Sequence, residues 1–280
     1  PAFPDAPFSL RLAAGEHVQL VESHSLAGST IAASAPIGVF VGHECAGLPD
    51  ENADCDHVER MLLPSALLAG ERVALGPSRV GEPVQWKLVG AVDDTRLEYS
   101  DGFDGPSTLA AGEAVEFAAD SPFVVRSQDD AHPFRLLSVM HNCSSLGQVT
   151  CPGDAEQLEL GGTALYVEDA TFFVDPTYAR TQLLVVRVAD PELADVRLPC
   201  AVDELVGEWS PVGKDGRFEV ARADFDIPGG RYDACEGGLH RMTSDAPFGA
   251  WVWSWDSRNS IAYSVALGTS PYHDAGPGEQ

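Results

Sequence analysis

Short runs of β-branched and aromatic residues, each closed off by Gly, Pro, Asp or Ser, restrict this chain more than any other feature. They include HVQLVE (17–22), STIAA (29–33), IGVFVG (37–42), PVQWKLVGAV (83–92), EAVEFA (113–118), PFVVRS (122–127) and FRLLSVM (134–140). The pattern continues through TALYVE (163–168), QLLVVRVA (182–189), RFEVARA (217–223), GAWVWSW (249–255) and IAYSVAL (261–267). Such lengths suit the strands of a sandwich. Helix signals are confined to PSALLAGE (64–71), DPTYAR (175–180) and AVDELV (201–206), each long enough for a short turn. A parallel α/β sheet needs strands alternating with long helices, and these are missing. The expected class is all-β, with antiparallel β-sandwiches in tandem and few short helical turns.

A proline motif recurs as ASAPI (33–37), ADSPF (119–123) and SDAPF (244–248), each followed by a β-rich run. Proline presets φ near −65° and lacks an N–H, so it suits a turn or a strand's first residue. The expected unit is strand, turn, strand. Its uneven spacing fits no solenoid or propeller. The weakly patterned stretch HNCSSLGQVTCPGDAEQLELGG (141–162) is the expected boundary. It divides the chain into a sandwich over 1–142, a linker over 143–162 and a second sandwich over 163–280. The tail from Ser270 reads as a mobile end.

The net charge is −26, with a pI near 4.4, so the protein's field repels phosphate. Nucleic acid and an anionic membrane face are therefore excluded as partners. No run of about 18 apolar residues marks a transmembrane segment. The opening PAFPDAPF lacks the features of a signal peptide, which leaves exported and cytosolic origins open on this point. Lys87 and Lys214 are the only lysines beside many arginines, as in proteins of GC-rich genomes. The acid excess reads as a solvated surface, or as adaptation to salt that screens self-repulsion.

Six cysteines fall into three neighbouring couples: Cys45 with Cys55, Cys143 with Cys151, and Cys200 with Cys235. Three local disulfides in an exported protein are expected. Free structural thiols in a cytosolic protein are the other reading. The densest polar stretch is GHECAGLPDENADCDH (42–57). His43, Cys45, Cys55 and His57 compose a tetrahedral zinc set in residue type, but the loop is long for a knuckle. The disulfide needs only the two cysteines and is preferred. Asp50, Asn52, Asp54 and Asp56 alternate like the first half of an EF-hand loop. The match then fails at Cys55, where glycine is required, and at Met61, where glutamate is required. Calcium is the runner-up here; no cofactor is the first expectation.

No nucleophile elbow and no His-Glu-x-x-His helix is present. His43, His57, His132, His141 and His240 show no spacing that selects a catalytic triad. No catalytic residue is assigned. Trp251, Trp253 and Trp255 alternate along a strand and share one face. Exposed, they form a platform for a sugar or a protein; buried, they form a sandwich core, which is the preferred reading.

VFVGHECAGLP followed by CDHVERMLLP resembles the signature of the IgG Fc-binding protein N-terminal domain family. GGLHRMTSDAPFGAWVWSW resembles its closing hairpin, and VQWKLVGAVDDTRLEY and LAAGEAVEFAADSPFVV match its course between them. The resemblance runs from about residue 8 to about residue 268 and is to a bacterial-type member. Two departures stand out: AYSVALG replaces the family's Tyr-Gly-Tyr-Pro-Gly type ending, and Cys200 and Cys235 map onto no family pair. The resemblance implies export, no known catalysis, and a role in adhesion or recognition. The functional expectation is an extracellular or cell-surface, non-enzymatic module that binds a protein or glycan, with His43, His57 and the three tryptophans as candidate contacts. The alternatives are a metal-assisted hydrolase built on His43, His57, Asp54 and Asp56, and a surface component that self-associates.

Overall fold

The structure, a computed structural model, describes residues 7–23, 26–48, 54–79, 82–100, 103–147, 151–189, 195–213, 216–235 and 237–268. The chain is all-β, and every strand pairing is antiparallel. In chain order the strands are β1 (Phe40–Gly47), β2 (Cys55–Met61), β3 (Arg72–Ala74), β4 (Val84–Gly90), β5 (Thr95–Tyr99), β6 (Thr108–Leu109), β7 (Ala114–Ala119) and β8 (Phe123–Ser127). They continue as β9 (Phe134–Met140), β10 (Glu156–Leu160), β11 (Val167–Val174), β12 (Arg180–Val188), β13 (Ser210–Val212), β14 (Phe218–Asp224), β15 (Gly238–Asp256) and β16 (Asn259–Ser264).

These strands form a hairpin and three larger sheets. β1 pairs with β2 alone; the two four-stranded sheets run β10-β9-β4-β7 and β3-β8-β5-β6. The six-stranded sheet runs β11-β15-β12-β14-β13, with β16 also on β15. That last sheet is buried on both faces, which is why QLLVVRV and AWVWSW read as nearly unbroken apolar runs. Leu184, Val186, Val220, Trp251 and Trp253 pack on one face with Trp86, Phe123, Phe134 and Leu136 of the earlier strands. Leu183, Val185, Ala221, Ala250 and Val252 pack on the other with Val196, Leu198, Tyr232 and Cys235.

Residues 143–162, expected as a linker, carry a 3-10 turn over Cys143–Leu146 and then β10, which pairs with β9. Leu158 and Leu160 of β10 lie in the same apolar core as Trp251 and Trp253. Polar bonds also cross this stretch: Gln182 Oε1 accepts from the Ser78 N–H at 2.8 Å, and Arg222 Nε donates to the Gly76 carbonyl at 3.1 Å.

Three local expectations are corrected. HVQLVE and STIAA form no strand; apart from half-buried Glu22 their residues are exposed. The third proline motif is not a turn but a bulge inside β15. Val167 and Asp169 of β11 stand opposite Phe248 and Thr243, so Ser244–Pro247 loops out where proline has no N–H to give. The second proline motif is a turn, but it joins β7 of one sheet to β8 of another, so no hairpin forms there. The helical signal at 64–71 becomes a 3-10 turn, Ser65–Leu67; at 201–206 the chain turns with Asp203 and Glu204 at positive φ, and 175–180 is a plain turn.

Candidate functional site

The β1–β2 hairpin stands out because one of its faces is docked and the other is bare. A bulge between His43 and Ala46 shifts the register, so that Gly47 meets Cys55 and the Cys45–Cys55 disulfide closes the end. The inward face carries Val58, which packs with Leu48, Leu137, Val139 and Ala155. Arg60 Nη1 donates to Gln157 Oε1 of β10 at 2.8 Å, and the Asn142 N–H donates to the Leu48 carbonyl at 2.9 Å. Burial pulls the Arg60 guanidinium below its ordinary pKa, against the attraction of Glu159.

The outward face carries Cys55, His57, Glu59 and Met61, all exposed. Phe40 and Met61 are directly opposed across the strands and are 68% and 59% exposed. Ile37 is also exposed, and the Met61 Cε lies 3.9 Å from where a Cβ on Gly38 would sit. His57 Nε2 is 3.6 Å from Glu59 Oε2, an exposed pair that adds little stability. The result is an apolar cross-strand pair beside a polar pair on a ribbon whose other face is fixed. Sequence reading missed Phe40 and Met61 because an apolar residue in a strand reads as core. The signal was present in CDHVERM, where Cys55, His57, Glu59 and Met61 share one face and Val58 the other.

The expected site residues are only partly brought together. His43 is set opposite Val58, one residue from His57, so the two imidazoles alternate across the ribbon and do not converge. His43 Nδ1 accepts the Cys45 N–H at 3.0 Å. The sulfurs of Cys45 and Cys55 are bonded to each other, so the zinc set loses both thiolates. Asp54 is exposed, and Asp56 Oδ1 accepts the His57 N–H at 2.7 Å. Asp50 and Asn52 lie outside the described residues. Beside this end of the hairpin, burial pushes Glu156 up to about 7, with Asp56 adding to the rise. Burial also raises Asp154, and Asp56 and Asp54 add to it.

Trp251, Trp253 and Trp255 are buried, the first two completely. They face the core shared with Trp86 and Phe123, and this corrects the ligand platform. The buried reading of the row is the one the structure holds.

The other cysteines also pair locally, as Cys143–Cys151 and Cys200–Cys235. The first loop is held by Arg79, which sequence reading did not single out. Its Nε donates to Glu82 Oε2 at 2.7 Å and its Nη1 to the Pro152 carbonyl at 2.9 Å. Glu82 Oε1 in turn accepts the His141 N–H at 2.9 Å. Among the described residues, no helix is long and apolar enough to cross a membrane.

Comparison with known proteins gives two matches of one kind. The family model described as IgGFc binding protein matches residues 2–254. The human protein named IgGFc-binding protein is 35% identical over 101 residues, which are 35% of this chain and 2% of that protein. The matched stretch is thus a small part of a far longer chain. No solved structure matches. The chain belongs to the IgGFc binding protein family.

Proposed function

We propose that this protein is an extracellular, non-enzymatic binding module that recognises a protein ligand through the outward face of the β1–β2 hairpin. The observation that carries this is the exposed Phe40–Met61 pair on a ribbon closed by Cys45–Cys55 and fixed to the body through Val58 and Arg60. A rigid apolar pair rimmed by His57 and Glu59 is the composition of a protein-binding anchor, and little ordering entropy is lost when it binds. Burial of the tryptophan row supports a protein over a glycan, since it removes the sugar-stacking surface. Three disulfides support an oxidising, extracellular setting.

The human relative's name supplies the first probe, the Fc fragment of immunoglobulin G. Surface plasmon resonance should show binding by the wild type and loss of at least tenfold in affinity for a Phe40→Ser/Met61→Ser variant, or about 1.4 kcal/mol. Because both side chains are exposed, the fold should be unaffected. Equal binding by the variant removes the hairpin from the site.

A further inference from the structure

The β1–β2 ribbon has an open edge as well as a bare face. Among the described residues, β1 pairs with β2 and with no other strand. The register fixes which backbone groups that edge presents. The Leu62 N–H donates to the Val39 carbonyl at 2.9 Å, one step beyond the Phe40–Met61 pair. Opposed residues of an antiparallel ladder alternate between bonded and unbonded pairs. Val39, Val41 and His43 therefore turn their N–H and C=O towards β2, and Phe40 and Gly42 turn theirs outward. Both of these residues are exposed, and their outward backbone groups bond to no described residue.

This edge has room for another backbone. Gly42 puts no side chain in its middle. Phe40 lies on the bare face with Met61 and gives a neighbouring strand an apolar side chain to pack beside. The Cys45–Cys55 disulfide and the docked Val58 hold the ribbon in its extended shape, so little order is lost on pairing. An extended peptide adds to such an edge through main-chain bonds and takes its specificity from alternate side chains.

Charge complementarity selects the kind of peptide. Glu44, Asp54, Asp56 and Glu59 are the described carboxylates of the ribbon, and all but Asp56 are exposed. Between Phe40 and Met61 the chain has no lysine and one arginine, Arg60, which points inward to Gln157. A basic segment approaching the edge therefore meets carboxylates and no outward arginine or lysine. An acidic segment is repelled there, and by the net charge of −26 behind it. We infer that an extended, basic segment of a partner protein adds to the free edge of β1 as a third strand. Its apolar side chains lie beside Phe40, and its lysines or arginines lie beside Glu44 and reach across Gly42 to Glu59, which stands opposite that glycine. The inference rests on the ribbon being the recognition surface and states how the partner is read: backbone to backbone at Phe40 and Gly42, and by charge at the rim.

Two synthetic peptides of about ten residues, alternating valine with lysine or valine with glutamate, test this on the 280-residue protein. By fluorescence anisotropy the lysine peptide should bind at least tenfold more tightly than the glutamate peptide, and NaCl should weaken it. Methylating the backbone nitrogens of the lysine peptide keeps its charge, removes its main-chain donors and should cost at least tenfold. Amide exchange read by NMR should slow most at Phe40 and Gly42, and least at Val41 and His43, whose N–H groups already face β2. A lysine peptide that does not bind, that binds no better than the glutamate peptide, or that binds as well when methylated overturns the inference. Slowing that spares Phe40 and Gly42 overturns it equally. The underlying reading fails separately. If Phe40→Ser/Met61→Ser loses the Fc fragment while the lysine peptide finds no edge on the wild type, the ribbon stays the recognition surface and the third strand is overturned. If that variant keeps the Fc fragment, the ribbon is removed from Fc recognition whatever the peptides do.

Discussion

Replacing Glu156 with glutamine should stabilise the protein at alkaline pH and do far less in acid. Glu156 opens β10, its Oε1 accepts the Gln157 N–H at 2.7 Å, and it lies half-buried beside the hairpin end. Burial, with Asp56 adding charge, raises its carboxyl from an ordinary 4.5 to about 7. Below pH 4.5 the group is neutral whether the chain is folded or unfolded, and it contributes nothing. As pH climbs towards 7 the unfolded chain ionises it first, so the folded state binds the extra proton and loses relative stability. Above about 7 the loss is complete. At 1.36 kcal/mol per pH unit the ceiling is ~3 kcal/mol, lowered by the water that still reaches the half-buried group. Glutamine keeps the shape and the acceptor without the charge. Urea unfolding followed by tryptophan fluorescence should show Glu156→Gln gaining up to ~3 kcal/mol at pH 8 and about 1 kcal/mol at pH 5. An equal gain at both pH values, or a loss at pH 8, refutes the reasoning.

Other predictions follow from the core, the disulfides and the charge. Trp253→Ala empties a fully buried site between the central sheet and the earlier strands and should cost about 3–5 kcal/mol by the same unfolding assay. Reduction of the denatured protein should raise its intact mass by about 6 Da, one hydrogen for each of six paired sulfurs. The melting temperature should rise with NaCl, since −26 charges repel in the folded state; a flat response to molar salt contradicts that reading.

What the residues disclosed follows their periodicity. The all-β class was legible because short runs between turn residues leave few alternatives. The cysteine couples were legible as neighbours along the chain, but six cysteines allow fifteen pairings, and the partner of Cys200, 35 residues on at Cys235, is fixed by the fold. The tryptophan row was ambiguous because alternation fixes a shared face but not what covers it. Here the cover comes from Trp86 and Phe123, far away in sequence. HVQLVE and STIAA read as strands on their side chains alone, but a strand also needs a ladder of backbone bonds to a partner, and the described chain forms none there. The SDAP bulge in β15 read as a turn because proline has the same reason to appear in both. The Phe40–Met61 pair was hidden because an exposed apolar residue and a core residue look identical until the register and the docked face are known.

Hydrogen–deuterium exchange of the intact protein, with and without the immunoglobulin Fc fragment, tests the proposed recognition surface most directly. Amides of β1 and β2, Phe40–Gly47 and Cys55–Met61, should slow in the complex, while those of β12 and β14 in the doubly buried sheet should not change. Slowing confined to other elements, or an exchange pattern that the Fc fragment leaves unchanged, contradicts the account.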